Sequence, residues 1–142
     1  IVERTVAKYH EALTRLTGVW AVAPSVMKVM FGKTFLKDPF RRADREEMLR
    51  RLLENDRRRI VPAIQGVFSR EGVYQYLHCI TTPTLIIVGD EDAATVPAKS
   101  QRMFNAIPGS RLVVIPGAGH TSTVETPGAV TAAITDFLAQ LG

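Results

Sequence analysis

Two short apolar runs rich in β-branched residues, with one amphipathic segment between them, constrain this chain more than any other feature. They lie in the stretch from Pro83 to Pro127, PTLIIVGDEDAATVPAKSQRMFNAIPGSRLVVIPGAGHTSTVETP. TLIIV (Thr84 to Val88) is bounded by Pro83 and Gly89, and LVVI (Leu112 to Ile115) by Ser110 and Pro116. Both are short enough to be strands buried on both faces. Between them Pro97 is placed to open a helix, Met103, Phe104 and Ile107 fall at helical spacing, and Pro108-Gly109 closes the segment. The pattern is a βαβ unit. A right-handed crossover lays its strands parallel, ~4.8 Å apart if they are neighbours, with both C-terminal ends on one edge of the sheet.

The loops leaving that edge carry Asp92 and His120. Either residue alone would be an ordinary solvated turn or loop histidine. Together, in this order, each just past a strand, a carboxylate and an imidazole can meet and form the acid and base half of a catalytic triad, the acid fixing the histidine tautomer. Gly117 and Gly119 give the backbone freedom just before the histidine. GDED followed by Thr95 and Pro97, then PGAGH followed by Glu125 and Pro127, resembles the C-terminal portion of an α/β-hydrolase, and looks most like the enol-lactone hydrolase branch. In that family the acid precedes the histidine, as here. The family's acid usually stands at the fourth position of a Gly-x-x-Asp turn, which is Asp92 counted from Gly89, and Asp90 is the lesser candidate.

The expected fold class is therefore α/β, the C-terminal part of an α/β-hydrolase parallel sheet with an all-helical cap before it. Residues 1–80 carry helical patterns without strands and resemble such a cap or lid, and residues 81–142 would be the C-terminal βαβα portion of the core. Val2, Val6, Tyr9, Leu13 and Leu16 share one helical face. Pro24 is placed to open a short apolar helix through Val26, Met27, Val29, Met30 and Phe31, and Gly32 to Pro39 reads as a turn-rich joint. Asp44 with Glu47 makes a capping-box-like start to the next helix, whose stripe is Met48, Leu49, Leu52 and Leu53. Ile60 to Phe68 is a further helical run that Pro62 can open, and Gly72 to Leu77 allows a last turn. At the other end, Thr126 can cap a helix opened by Pro127, with Val130, Ala133, Ile134, Phe137, Leu138 and Leu141 as its buried face.

A chain of 142 residues, 46% of them hydrophobic, is ample for a globular core. The formal charge of +4 invites a nucleic-acid partner. Its distribution argues against one: the arginines from Arg41 to Arg59 alternate with Asp44, Glu46, Glu47, Glu54 and Asp56, and no aromatic side chains interleave them as a base-stacking platform would need. Glu46 with Arg50 and Glu47 with Arg51 are helical i,i+4 pairs, so the stretch reads as a solvated face. One cysteine, Cys79, excludes an internal disulfide, and no apolar run approaches the roughly 20 residues that cross a bilayer. The opening IVERTVAKYHEALTRL lacks the layout of a signal peptide, so a cytoplasmic protein without a membrane partner is expected. No cofactor and no metal is expected.

The family's nucleophile sits in a Gly-x-Ser-x-Gly elbow between a strand and a helix, and this chain contains no such motif. Ser25, Ser69, Ser100, Ser110 and Ser122 lack the elbow, Cys79 precedes a strand rather than following one, and Ser25 with Lys28 is an unsupported Ser-x-x-Lys match. Ser122 lies beside His120 but shares its loop, whereas a nucleophile needs a separate support facing the free imidazole nitrogen. The resemblance thus implies the C-terminal part of a hydrolase for an ester or lactone-like small molecule, with acid Asp92 and base His120, and with the nucleophile elsewhere. The same acid and histidine serve esterases, lactonases, haloperoxidases, dehalogenases and epoxide hydrolases. An incomplete sheet edge invites pairing, so a missing N-terminal half or a second copy is the expected partner. The competing readings are a non-catalytic interaction domain on the same fold and, third, an anion binder working through the arginine helix.

Overall fold

A computed structural model describes residues 18–141, together with Ala12. The helix expected on Val2 to Leu16 lies outside the described residues. The chain divides into two compact units: residues up to 27 with 40–71, and residues 28–39 with 72 onward.

The second unit is built on the βαβ pattern. Strand β1 (Leu85–Gly89) and strand β2 (Arg111–Ile115) pair in parallel, Leu85 opposite Arg111 through to Gly89 opposite Ile115. Burial alternates along β1, with Ile86 and Val88 inside, while Val114 on β2 is 45% exposed. The second strand is therefore not buried on both faces. Among the described residues the α-helices α1 (Ala23–Met30), α2 (Lys33–Lys37), α3 (Arg42–Leu53) and α4 (Arg57–Ser69) precede β1, and α5 (Pro97–Ala106) joins the strands. Two follow β2: α6 (Ser122–Glu125) and α7 (Pro127–Ala139).

Ile115, Ala118 and Val130 form a buried cluster against which Ile87 and Val113 pack, so α7 seals the sheet beside the histidine loop. Only part of the expected apolar face of α7 is used: Val130 and Ala133 are buried, whereas Ile134, Leu138 and Leu141 are exposed. Helical spacing decides which residues share a face; it does not supply the neighbour that would cover them. The same holds on α5, where Ile107 just past the helix end is buried but Met103 and Phe104 are partly in solvent. Thr126 does not cap α7 with its side chain; its hydroxyl donates instead to the Ser122 carbonyl at 3.1 Å.

The segment read as a joint, Gly32 to Pro39, contains α2. Phe31 and Phe35, four residues apart, stack with ring centroids 5.0 Å apart and are both buried. That aromatic pair anchors a turn of helix that glycine and proline at its ends had masked.

In the first unit, α3 begins after a 3₁₀ turn at Pro39–Arg41, with Asp44 inside its first turn rather than at its cap, bonded to Arg41 Nε. Glu47 pairs with Arg51 at 2.7 Å as the spacing predicts, but Glu46 turns to Arg42, also at 2.7 Å. Arg50 lies between Glu47 and Glu54 and bonds both. The arginines named here are thus matched by carboxylates three or four positions away in the chain. Helix α4 starts well before Pro62 because Asp56 caps it, accepting the Arg58 N–H at 2.8 Å. No helix among the described residues is long and apolar enough to cross a membrane.

Candidate active site

At the C-terminal end of β1 the chain turns sharply, with Asp92 N–H donating to the Gly89 carbonyl at 3.2 Å. The Asp92 side chain is folded back under its own loop. Oδ1 accepts the backbone N–H of Ala94 at 2.8 Å and of Thr95 at 2.7 Å, and Oδ2 accepts the Thr95 hydroxyl at 2.8 Å. The remaining contact is to His120: its Nδ1 lies 2.9 Å from Asp92 Oδ2 and 3.2 Å from Thr95 Oγ1. Asp92 is 6% exposed. Burial alone would push its carboxyl upward, but the Thr95 N–H, the His120 ring and the Thr95 hydroxyl outweigh it and hold the group below the usual carboxylate range. An ionised carboxylate only accepts, so the proton on the shared edge belongs to Nδ1, and the neutral ring of that tautomer has its lone pair on Nε2.

Asp90, the other candidate acid, serves the scaffold. Its Oδ1 accepts the Gly117 N–H at 2.7 Å, tying the first turn of the histidine loop to the end of β1. Gly117 takes φ +67°, a left-handed conformation that favours glycine. For Gly119 the requirement is proximity rather than φ, because a Cβ there would stand 2.2 Å from the Gly32 backbone nitrogen. Gly89 is equally constrained, its Cβ position lying 2.0 Å from the Ala118 carbonyl oxygen. The acid loop, the histidine loop and the start of α2 therefore meet backbone to backbone, and a side chain at either position would force them apart.

Carboxylates stitch the same three segments together. Glu91 accepts the Thr34 N–H and the Thr34 hydroxyl, each at 2.7 Å, with Lys33 Nζ at 3.8 Å. Its burial raises the carboxyl, but the Thr34 and Lys33 contacts reverse the balance and leave it below the ordinary glutamate value. Glu125 is 4% exposed and accepts from Gly32 and Gly119. Of these supports, Thr95 and Glu125 stand in the sequence only as fragments of the family resemblance, while Glu91 and Thr34 carry no sequence signal, since their bond joins residues 57 positions apart.

Among the described residues no serine and no cysteine hydrogen-bonds Asp92 or His120. Ser110 donates to the Ile107 carbonyl at 2.9 Å, Ser100 is buried on α5, Ser122 opens α6, and Ser25 and Ser69 belong to α1 and α4. Cys79 is exposed, its sulfur 3.3 Å from His78 Nε2. Among the described residues His120 bonds only Asp92 and Thr95, and no three His, Cys, Asp or Glu side chains converge as metal ligands would.

The chain resembles known proteins in sequence and in fold. Over 63 residues, 44% of the chain, the sequence is 41% identical to epoxide hydrolase A of Mycobacterium tuberculosis, of which that stretch is 20%. A thermophilic esterase from Thermogutta terrifontis superposes on 96% of the chain with a TM-score of 0.84 and 26% identity, using 49% of its own length. The enol-lactonase from Burkholderia xenovorans superposes on 95% with a TM-score of 0.86 and 23% identity, using 50% of its length. The chain thus spans about half the length of these solved structures. The model of the TAP-like protein family matches residues 67–141, more than half of the chain, and with the parallel strand pair and its two loops this places the protein in that family of α/β-hydrolases.

Proposed function

We propose that this chain supplies the acid, Asp92, and the base, His120, of a nucleophile-His-Asp triad that hydrolyses an ester or lactone-like small molecule, the nucleophile being carried outside it. One observation supports this above the others: a carboxylate oxygen of buried Asp92 lies 2.9 Å from Nδ1 of a ring whose side chain remains 35% exposed. Nε2 then has the lone pair a general base needs. It would take the proton of an attacking hydroxyl as the acyl carbonyl becomes tetrahedral, with Asp92 stabilising the imidazolium. It would return that proton to the departing alkoxide, then draw one from water as hydroxide adds to the acyl carbon, and give it back to the nucleophile's oxygen as that bond breaks and the acid leaves. Residues 1–80 would serve as the helical cap and residues 81–142 as the C-terminal portion of the core. The half-length match to an esterase and an enol-lactonase fits a nucleophile on the other half, and an exposed lone cysteine fits a reducing compartment such as the cytoplasm.

The test is hydrolysis of p-nitrophenyl butyrate, a γ-lactone and styrene oxide by this chain alone and by a polypeptide joining it to a nucleophile-bearing N-terminal half. The chain alone should be nearly inert. The joined protein should turn over an ester or lactone and lose about 10³-fold or more in kcat on His120→Ala. Turnover that ignores His120→Ala refutes the assignment, and turnover of the epoxide alone moves the substrate class.

A second reading, a non-catalytic assembly domain, is favoured by the surface. Each strand has one hydrogen-bonded neighbour among the described residues, and Trp20, Phe40 and Tyr76 are 68%, 93% and 63% exposed. Both readings expect association, with a complementary half or a second copy, over more than ~1,000 Å². A concentration-independent monomer in sedimentation at low micromolar concentration would count against that partner.

A further inference from the structure

Asp92 orients the ring of His120, but the backbone bearing that ring is held by a different carboxylate. Glu125 Oε2 accepts the Gly119 N–H at 2.9 Å, and Glu125 Oε1 accepts the Thr121 N–H at 3.2 Å and the Thr121 hydroxyl at 2.9 Å. Gly119 and Thr121 are the residues on either side of His120, so one side chain grips the chain both before and after the imidazole. The same Oε2 also accepts the Gly32 N–H at 2.8 Å, just ahead of α2. Thr121 is tied to that region a second time: its N–H and hydroxyl lie 3.1 and 3.0 Å from the Met30 carbonyl.

Every group directed at Glu125 in these contacts is a donor, and the residue is nearly inaccessible to water. A buried carboxylate is costly unless its lone pairs are filled, and here both oxygens are filled by the two peptides that flank His120 and by a third from a segment distant in sequence. A neutral amide of the same shape replaces it only in part. One end of a glutamine would present N–H groups to the N–H groups of Gly32 and Gly119, or to the N–H of Thr121.

We propose that Glu125 is a positioning residue for His120, setting where the imidazole stands through the Gly119 and Thr121 peptides. The inference rests on the reading of His120 as the base, but its test reads the imidazole itself. In the full chain labelled with ¹⁵N-histidine, the native protein should show a protected Nδ1 proton on His120 and ring shifts of the Nδ1–H tautomer. Glu125→Gln should leave amide dispersion in the rest of the chain intact while exchange of that proton accelerates about tenfold or more and the ring shifts move toward the tautomer average. If Glu125→Gln unfolds the chain, Thr121→Val removes the hydroxyl contacts with Glu125 and with the Met30 carbonyl, keeps the Thr121 N–H on Glu125, and should produce the same change in smaller measure. An unmoved His120 ring in whichever variant is folded overturns the assignment. A moved ring with no hydrolysis in the joined protein would keep this inference and reject the catalytic reading instead.

Discussion

Replacing Asp92 by Asn keeps the volume of the side chain and alters one atom. The carbonyl of the new amide can stay where Oδ1 stands, keeping the Ala94 and Thr95 N–H bonds of 2.8 and 2.7 Å. Its NH₂ then occupies the place of Oδ2, facing the Thr95 hydroxyl and the His120 Nδ1 proton. The hydroxyl can rotate and accept. The ring cannot keep its proton against another donor, so it must change tautomer, which places the proton on Nε2 and removes the base. In the joined enzyme the expected loss in kcat is about 10⁴-fold. In the chain itself the lost charge-assisted bonds should lower stability by about 2 kcal/mol at neutral pH. Because the folded carboxyl titrates below its unfolded value, this contribution is complete above the unfolded pKa of about 3.8 and disappears as pH falls through the lower folded value. Urea unfolding of native protein and Asp92→Asn at pH 7 and at steps down to pH 2 would measure it. A stability difference that persists unchanged into strong acid, or an Asn variant whose Nδ1 proton remains, would refute the account of Asp92 as the ionised partner of His120.

Gly119→Ala would set a methyl group 2.2 Å from the Gly32 nitrogen and 2.7 Å from the Phe31 carbonyl carbon, so a fall in unfolding free energy of about 3 kcal/mol or an insoluble chain is expected. Thr95→Val should lower stability by about 1 kcal/mol in thermal melts, since it removes the hydroxyl bond to Asp92 but retains the Thr95 N–H. Asp56→Ala should lose the cap of α4 at a cost of about 1 kcal/mol, visible as reduced helical ellipticity, with the His120 ring signals unaffected.

What the sequence reveals is local. The βαβ unit announces itself because each of its parts is a contiguous run bounded by Gly or Pro, and the strands form within a residue of those runs. The choice of Asp92 over Asp90 is likewise local: the turn from Gly89 carries the third residue on toward the histidine loop, while Asp90 is left to bind Gly117. Exposure of apolar faces is not local. Ile134 and Leu138 fall on the helical stripe of α7 and remain in solvent, because periodicity describes one element and burial requires two.

The support of the site is where sequence reading ends, for a physical reason. Glu125 to Gly32 and Glu91 to Thr34 are side-chain-to-backbone bonds across 93 and 57 positions. The acceptor can be guessed as a carboxylate, but the donor is a peptide N–H that every residue except proline possesses, so neither composition nor spacing marks it. The same bonds explain why α2 exists at all. A helix of five residues cannot sustain itself, and its first N–H groups have no intrahelical acceptors. Glu91 accepts one of these, from Thr34, and Glu125 accepts the N–H of the preceding Gly32. A segment that reads as a joint becomes a helix because two loops of the candidate site supply its missing acceptors, and it in turn fixes the carboxylates that hold those loops in place.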